Sequence, residues 1–209
     1  TVEDGEDVTQ LVNLDGTVAK TFPFMLSGLS MDGRLVCRHH HSKIYDDDGP
    51  SVQGRDEGVA LIEIDTGEAT RVSSIDEMIS MHPDPDLYRQ YHLNMKMEIF
   101  HPTRPWVFWS LTNGEVAPFF DEPKVKAIFA CKLDGTGLRY VGDYGNHPIW
   151  HHTDLKILCN QRMTDGRGLY WVYDLETGDN YGSYENPCGG GHPSFSPDGK
   201  YYDNDVSAD

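Results

Sequence analysis

HPIWHHTDLKILCNQR (residues 147–162) and HPSFSPDGKYYDND (192–205) follow one plan. Each opens on a His-Pro pair, reaches an aromatic anchor (Trp150, Phe195), passes a short polar turn and enters a strand-like stretch. Two earlier segments share it: MLSGLSMDGRLVCRHHH (25–41), anchored by Leu29, and MEIFHPTRPWVFWSLT (97–112), anchored by Phe100. The last two anchors are 45 residues apart (195 minus 150) and the previous pair 50 apart (150 minus 100). Units of four strands recurring every ~40–50 residues are the blades of a β-propeller.

The segments between agree. GVALIEIDTGEATRV (58–72), KAIFACKLDGTGLRYV (126–141) and GLYWVYDLETGDNY (168–181) each split into two strands around a Thr-Gly or Asp-Gly turn, the residues a tight hairpin requires. The first anchor interval is longer, 71 residues (100 minus 29), and contains two stretches expected to be long loops, Tyr45 to Glu57 and Ile75 to Gln90. The expectation is an all-β chain, residues 1–209 forming one propeller domain, with inner strands near 25–41, 97–112, 147–162 and 192–205. A β-sandwich is the competing arrangement. Seven blades would take roughly 300 residues at that period, so the expected ring is seven-bladed and this chain supplies roughly half of it.

The 209 residues carry a formal net charge of −17. That field repels a nucleic-acid backbone, which argues against nucleic-acid partners, and any anion site must be a local basic or metal-bearing pocket. No apolar run approaches the ~18 residues of a membrane span. The four cysteines, at 37, 131, 159 and 188, form no CxxC pair. Cys37 and Cys131 lie in apolar runs and are expected to be buried free thiols.

Matching slots in adjacent blades converge at a propeller's axis. His147 and His192 occupy one such slot, three residues before their anchors. Cys188 precedes His192 across three glycines, and Cys159 follows Trp150 on its strand. His147, Cys159, Cys188 and His192 have the count and softness for tetrahedral zinc, with manganese as the alternative metal; the competing expectation is neutral histidines in a polar channel and Cys159 in the core. Of the run His39, His40 and His41, strand alternation puts the first and last on one face. His101 falls in a turn slot parallel to the serine of SPDG and is expected to be structural. Asp46, Asp47 and Asp48 offer oxygen ligands to calcium without the EF-hand spacing; a solvated loop is the alternative.

The motifs SMDG, HPIW, HPSFSPDGKYY and HLNMKMEIFHPT resemble those of the propeller polysaccharide lyases, the oligogalacturonate and ulvan lyases. The SPDG turn alone is shared more widely, including by TolB-like propellers. In oligogalacturonate lyases a metal is held by an HPHPSF-like segment and an earlier histidine near a tryptophan, positions that His192 and His147 match. The first histidine of that segment would fall on Gly190, and Cys188 beside it looks more like the zinc site of ulvan lyases, which favours a structural metal.

The resemblance implies β-elimination on a uronate-containing chain: a cation neutralises the carboxylate, a base removes the C5 proton, an acid protonates the leaving O4. Arg162 suits the first task because a guanidinium grips a carboxylate through two parallel bonds. His92 is the expected base, with His41 and His40 in reserve, and Tyr144 the expected acid or base. The implied partner is an acidic polysaccharide and the implied compartment secreted or periplasmic, or cytoplasmic for a short oligogalacturonide. The alternatives are a non-catalytic TolB-like binding propeller and a glycoside hydrolase, whose two carboxylates would have to come from residues such as Glu98 and Asp143.

Overall fold

The computed structural model describes residues 2–3, 6–23, 26–39, 45–46, 49–50, 58–114, 124–143, 145–162, 168–186 and 191–205. The chain opens with two antiparallel pairs, β1 (Val2–Glu3) with β2 (Glu6–Asp7) and β3 (Thr9–Val12) with β4 (Val18–Phe22). The first blade comprises β5 (Ser27–Leu29) and β6 (Leu35–His39), then, beyond a short pair β7 (Tyr45–Asp46) and β8 (Gly49–Pro50), β9 (Gly58–Glu63) and β10 (Ala69–Ser74). Helices α1 (Ile75–Met81) and α2 (Pro85–Tyr88) lead to the second blade: β11 (Asn94–Phe100), β12 (Trp106–Thr112), β13 (Lys126–Lys132) and β14 (Arg139–Asp143). The third is β15 (Asn146–Trp150), β16 (Lys156–Arg162), β17 (Gly168–Asp174) and β18 (Asn180–Asn186), and the pair β19 (Pro193–Phe195) and β20 (Tyr202–Asn204) follows.

Each blade is an antiparallel meander, and β5, β11, β15 and β19 touch in succession along their inner edges. This is the radial arrangement of a β-propeller. Alternation along the strands builds the cores between blades. Val107, Trp109 and Leu111 of β12 join Cys37, Val59, Leu61 and Phe129 in one cluster, while Trp106 and Phe108 join Trp150, Ile157, Cys159 and Tyr173 in the next. Strands buried on both faces carry near-continuous apolar runs, which is why WVFWSLT shows little polar alternation.

The repeat extends to the backbone. The residue after each anchor, Ser30, His101, His151 or Ser196, donates its N–H to Leu35, Trp106, Lys156 or Tyr201, each at 2.8 Å. Two side-chain solutions close these turns. In the serine turns the Asp32 and Asp198 carboxylates accept the serine hydroxyls at 2.6 and 2.7 Å. In the histidine turns the imidazole Nδ1 accepts backbone N–H groups instead, His101 from Thr103 and Arg104 and His151 from Thr153 and Asp154. His101 is therefore structural, as its slot implies: its Nε2 also meets the Asp154 carbonyl of the next blade at 3.0 Å.

Two departures from the sequence expectation stand out. Ile75 to Gln90, expected to be a loop, contains both helices. A capping box starts α1, where the Ser74 hydroxyl accepts from Glu77 N and the Glu77 carboxylate accepts from Ser74 N. The helices are pinned to the second blade: Trp109 Nε1 donates to Met78 Sδ, and buried His82 and Tyr88 both reach Asp143 Oδ1, at 2.7 and 3.1 Å. The second departure is β3–β4. Its turn Asn13–Thr17 repeats the bonds of Lys132–Thr136 in the β13–β14 hairpin, each Thr donating to the Asp two residues before it. It is an outer hairpin of blade type, packed through Phe22 on Ile62 of the first blade.

Candidate functional site

Strand direction decides which residues meet. Turns after the anchors lie on one rim. The starts of β11, β15 and β19 and the ends of β6, β12 and β16 lie on the other. His39, His92, Asn94, His147, Arg162 and His192 therefore share one rim. His41, His40, Tyr144, Cys188 and the aspartates Asp47 and Asp48 lie outside the described residues, as do the side chains of Arg162 and His39; Arg162 closes β16 opposite Gly168. His92 is partly buried just before β11.

His147 and His192 meet. Their ring centroids are 4.1 Å apart, edge to face. The local cause is a β-bulge: the β15–β16 register shifts between Asn146 and Ile149, and His147 sits at φ 50°. β11 does the same between Lys96 and Ile99, with Met97 at φ 60° in the equivalent slot. A non-glycine residue there costs about 1–2 kcal/mol, and such bulges re-aim side chains at sheet ends. Asp205 anchors the partner, accepting the His192 backbone N–H and standing 2.9 Å from its Nδ1. Burial pulls the His147 imidazole below its ordinary value, His192 and Lys126 add to this, and Asp205 opposes it. Bonds to His192 hold the Asp205 carboxyl below the usual range.

Cys159 stands elsewhere. It lies fully buried in the apolar core between the second and third blades, its Sγ 3.7 Å from the Trp171 carbonyl. Burial in this core pushes the thiol up to about 12. Its neighbour Asn160 points the other way and donates to the Gly191 carbonyl, just ahead of β19. Two imidazoles are half of a transition-metal donor set. Among the described residues no group of three His, Cys, Asp or Glu side chains converges on a metal position, and Cys188, the fourth expected ligand, lies outside them. Glu98 and Asp143 have separate engagements. Ser27 donates to buried Glu98 at 2.6 Å, and Asp143 serves the His82–Tyr88 anchor.

Sequence reasoning overlooked Lys96 and Lys126 on this rim. Burial lowers the Lys126 ammonium from its ordinary value; Cys159 opposes this and Lys96 adds to it. The only sequence signal is the isolated lysine opening an otherwise apolar strand, KAIFAC.

No family model matches the chain, and no curated protein does. Among solved structures it is similar to an oligogalacturonate lyase in complex with manganese, at 13% identity and TM-score 0.51, over 87% of this chain and 46% of that one. It is also similar to TolB from Acinetobacter baumannii, at 14% identity and TM-score 0.49, over 88% of this chain and 38% of that one. The chain thus spans less than half the length of either. Likeness at such identity shows the fold, a β-propeller. No helix of the described residues is long and apolar enough to cross a membrane.

Proposed function

We propose that this chain belongs to a polysaccharide lyase that cleaves a uronate-containing chain by β-elimination. The observation that carries the reading is the convergence of His147 and His192 on the rim that also receives His92 and the Arg162 strand end. The similarity to an oligogalacturonate lyase supports it at the level of fold.

The chemistry is a 1,2-elimination. The C5–H and C4–O4 bonds break, the C4=C5 double bond forms, one proton passes to a base and one is delivered to O4. Neutralising the adjacent carboxylate acidifies C5–H, the task assigned to Arg162. An unprotonated imidazole accepts the proton, the task assigned to His92 with His41 in reserve; such positioned groups contribute about 10²–10⁴-fold each. Tyr144 delivers the proton to O4. His147 and His192 bound the ring-binding surface and are the two described donors for a divalent cation.

The test is product analysis by mass spectrometry after incubation with pectate, oligogalacturonate and ulvan. Elimination leaves a fragment one water lighter than hydrolysis does. Unsaturated fragments from any of the three support the reading; intact polymers throughout overturn it in favour of a non-catalytic binding propeller, and saturated fragments overturn it in favour of hydrolysis.

A further inference from the structure

One group on this rim is left without a role. In the β11–β12–β13 register, Asn94 faces Thr112 and Thr112 faces Lys126; one row inward Lys96 faces Ser110 and Ser110 faces Ile128. Cross-strand partners share a face, so both lysines lie on the side of the second blade that carries Phe108 and Ile128 and packs against the third. Lys126 is partly buried there, and its electrostatic neighbours are Lys96, the neutral Cys159 thiol and His147. Among the described residues no carboxylate acts on the Lys126 ammonium.

That arrangement is improbable by chance. The chain has 34 acidic residues and 17 lysines and arginines, so an arbitrary lysine finds an acid more readily than another base. A partly buried ammonium beside further basic groups loses hydration without compensation. A desolvated ammonium that no carboxylate neutralises, as at Lys126, marks a place where a ligand can supply the missing charge. The cluster borders the His147–His192 rim, so the ligand it completes is an anion lying across that rim.

We propose that Lys126 forms an anion subsite that takes the carboxylate of a uronate ring bound at the His147–His192 rim. The ring's identity as a uronate rests on the lyase reading above; the need for an anion does not. The ammonium acts as a point charge, so the subsite selects charge more than the planar geometry of the acid group.

The test compares oligogalacturonate with its methyl ester, the same chain with its charge removed, by titration calorimetry on wild-type protein, Lys126→Met and Lys126→Arg, with thermal melting of each. Wild type and Lys126→Arg are expected to bind the acid about tenfold or more tighter than the ester. Lys126→Met is expected to lose that preference while melting no lower than wild type, since it removes an uncompensated charge from a partly buried site. A lysine serving only structure would give the reverse: a lowered melting temperature and an intact preference for the acid. Wild type binding acid and ester alike, or binding neither, overturns the subsite. A Lys126-dependent preference without unsaturated product sinks the lyase reading and leaves the subsite standing. Unsaturated product from Lys126→Met with the preference intact sinks the subsite and leaves the lyase reading standing.

Discussion

The imidazoles of His147 and His192 meet edge to face with centroids 4.1 Å apart, although 45 residues separate them in sequence (192 minus 147). Successive inner strands touch, so one blade period carries the chain back to the same rim. The pair is coupled electrically as well. Burial, His192 and Lys126 each lower the His147 imidazole from the histidine value of 6.5. Nuclear magnetic resonance titration of the ring is expected to place its midpoint below 6.5 and to move it upward in His192→Gln. A depressed histidine favours the fold while neutral, so its contribution is present above 6.5 and is lost as pH falls through the depressed value.

His101 holds two blades together. Its Nδ1 accepts the Thr103 and Arg104 N–H groups, its Nε2 meets the Asp154 carbonyl, and the residue is 3% exposed. His101→Ala orphans those groups and opens a void beside Trp150, costing about 2–4 kcal/mol in denaturant unfolding. Burial lowers this imidazole too, so wild-type stability is expected to fall on acidification below 6.5 and that component to vanish in the variant.

Gly145 sits at φ 122°, where an added Cβ would lie 2.6 Å from Cys159 Sγ. Gly145→Ala combines an unfavourable backbone region with overpacking and is expected to cost about 2–4 kcal/mol. Thermal unfolding checks this; a melting temperature equal to wild type would contradict the interlock of β15 with β16.

Cys131 and Cys159 are fully buried, and burial pushes both thiols up to about 12; it raises Cys37 as well. A thiol reagent at neutral pH is expected to leave all three unmodified in folded protein and to label them in denaturant, read by peptide mass spectrometry. Labelling of Cys159 in the folded state would contradict its place in the core.

Much of this architecture was legible because its signals are local. The anchors announce themselves through a turn that fixes one backbone bond, and the outer hairpins through Asp-Gly and Thr-Gly. The hairpin Thr9–Phe22 carries the same signal, LDGT at 14–17 matching LDGT at 133–136. Helix α1 was legible in the Ser74-x-x-Glu77 box. Cys159 illustrates a limit of composition: its residue type suits zinc, but strand alternation puts it on the face of Ile157, away from Asn160. The bulge that re-aims His147, and the approach of Lys126 to Lys96 across three strands, depend on register and blade packing, which no short window of sequence contains.

The most direct test follows the two histidine rings while oligogalacturonate is titrated into protein with nitrogen-labelled histidine. The His147 and His192 resonances are expected to shift together and saturate at one common midpoint. Resonances that stay fixed through the titration would contradict this.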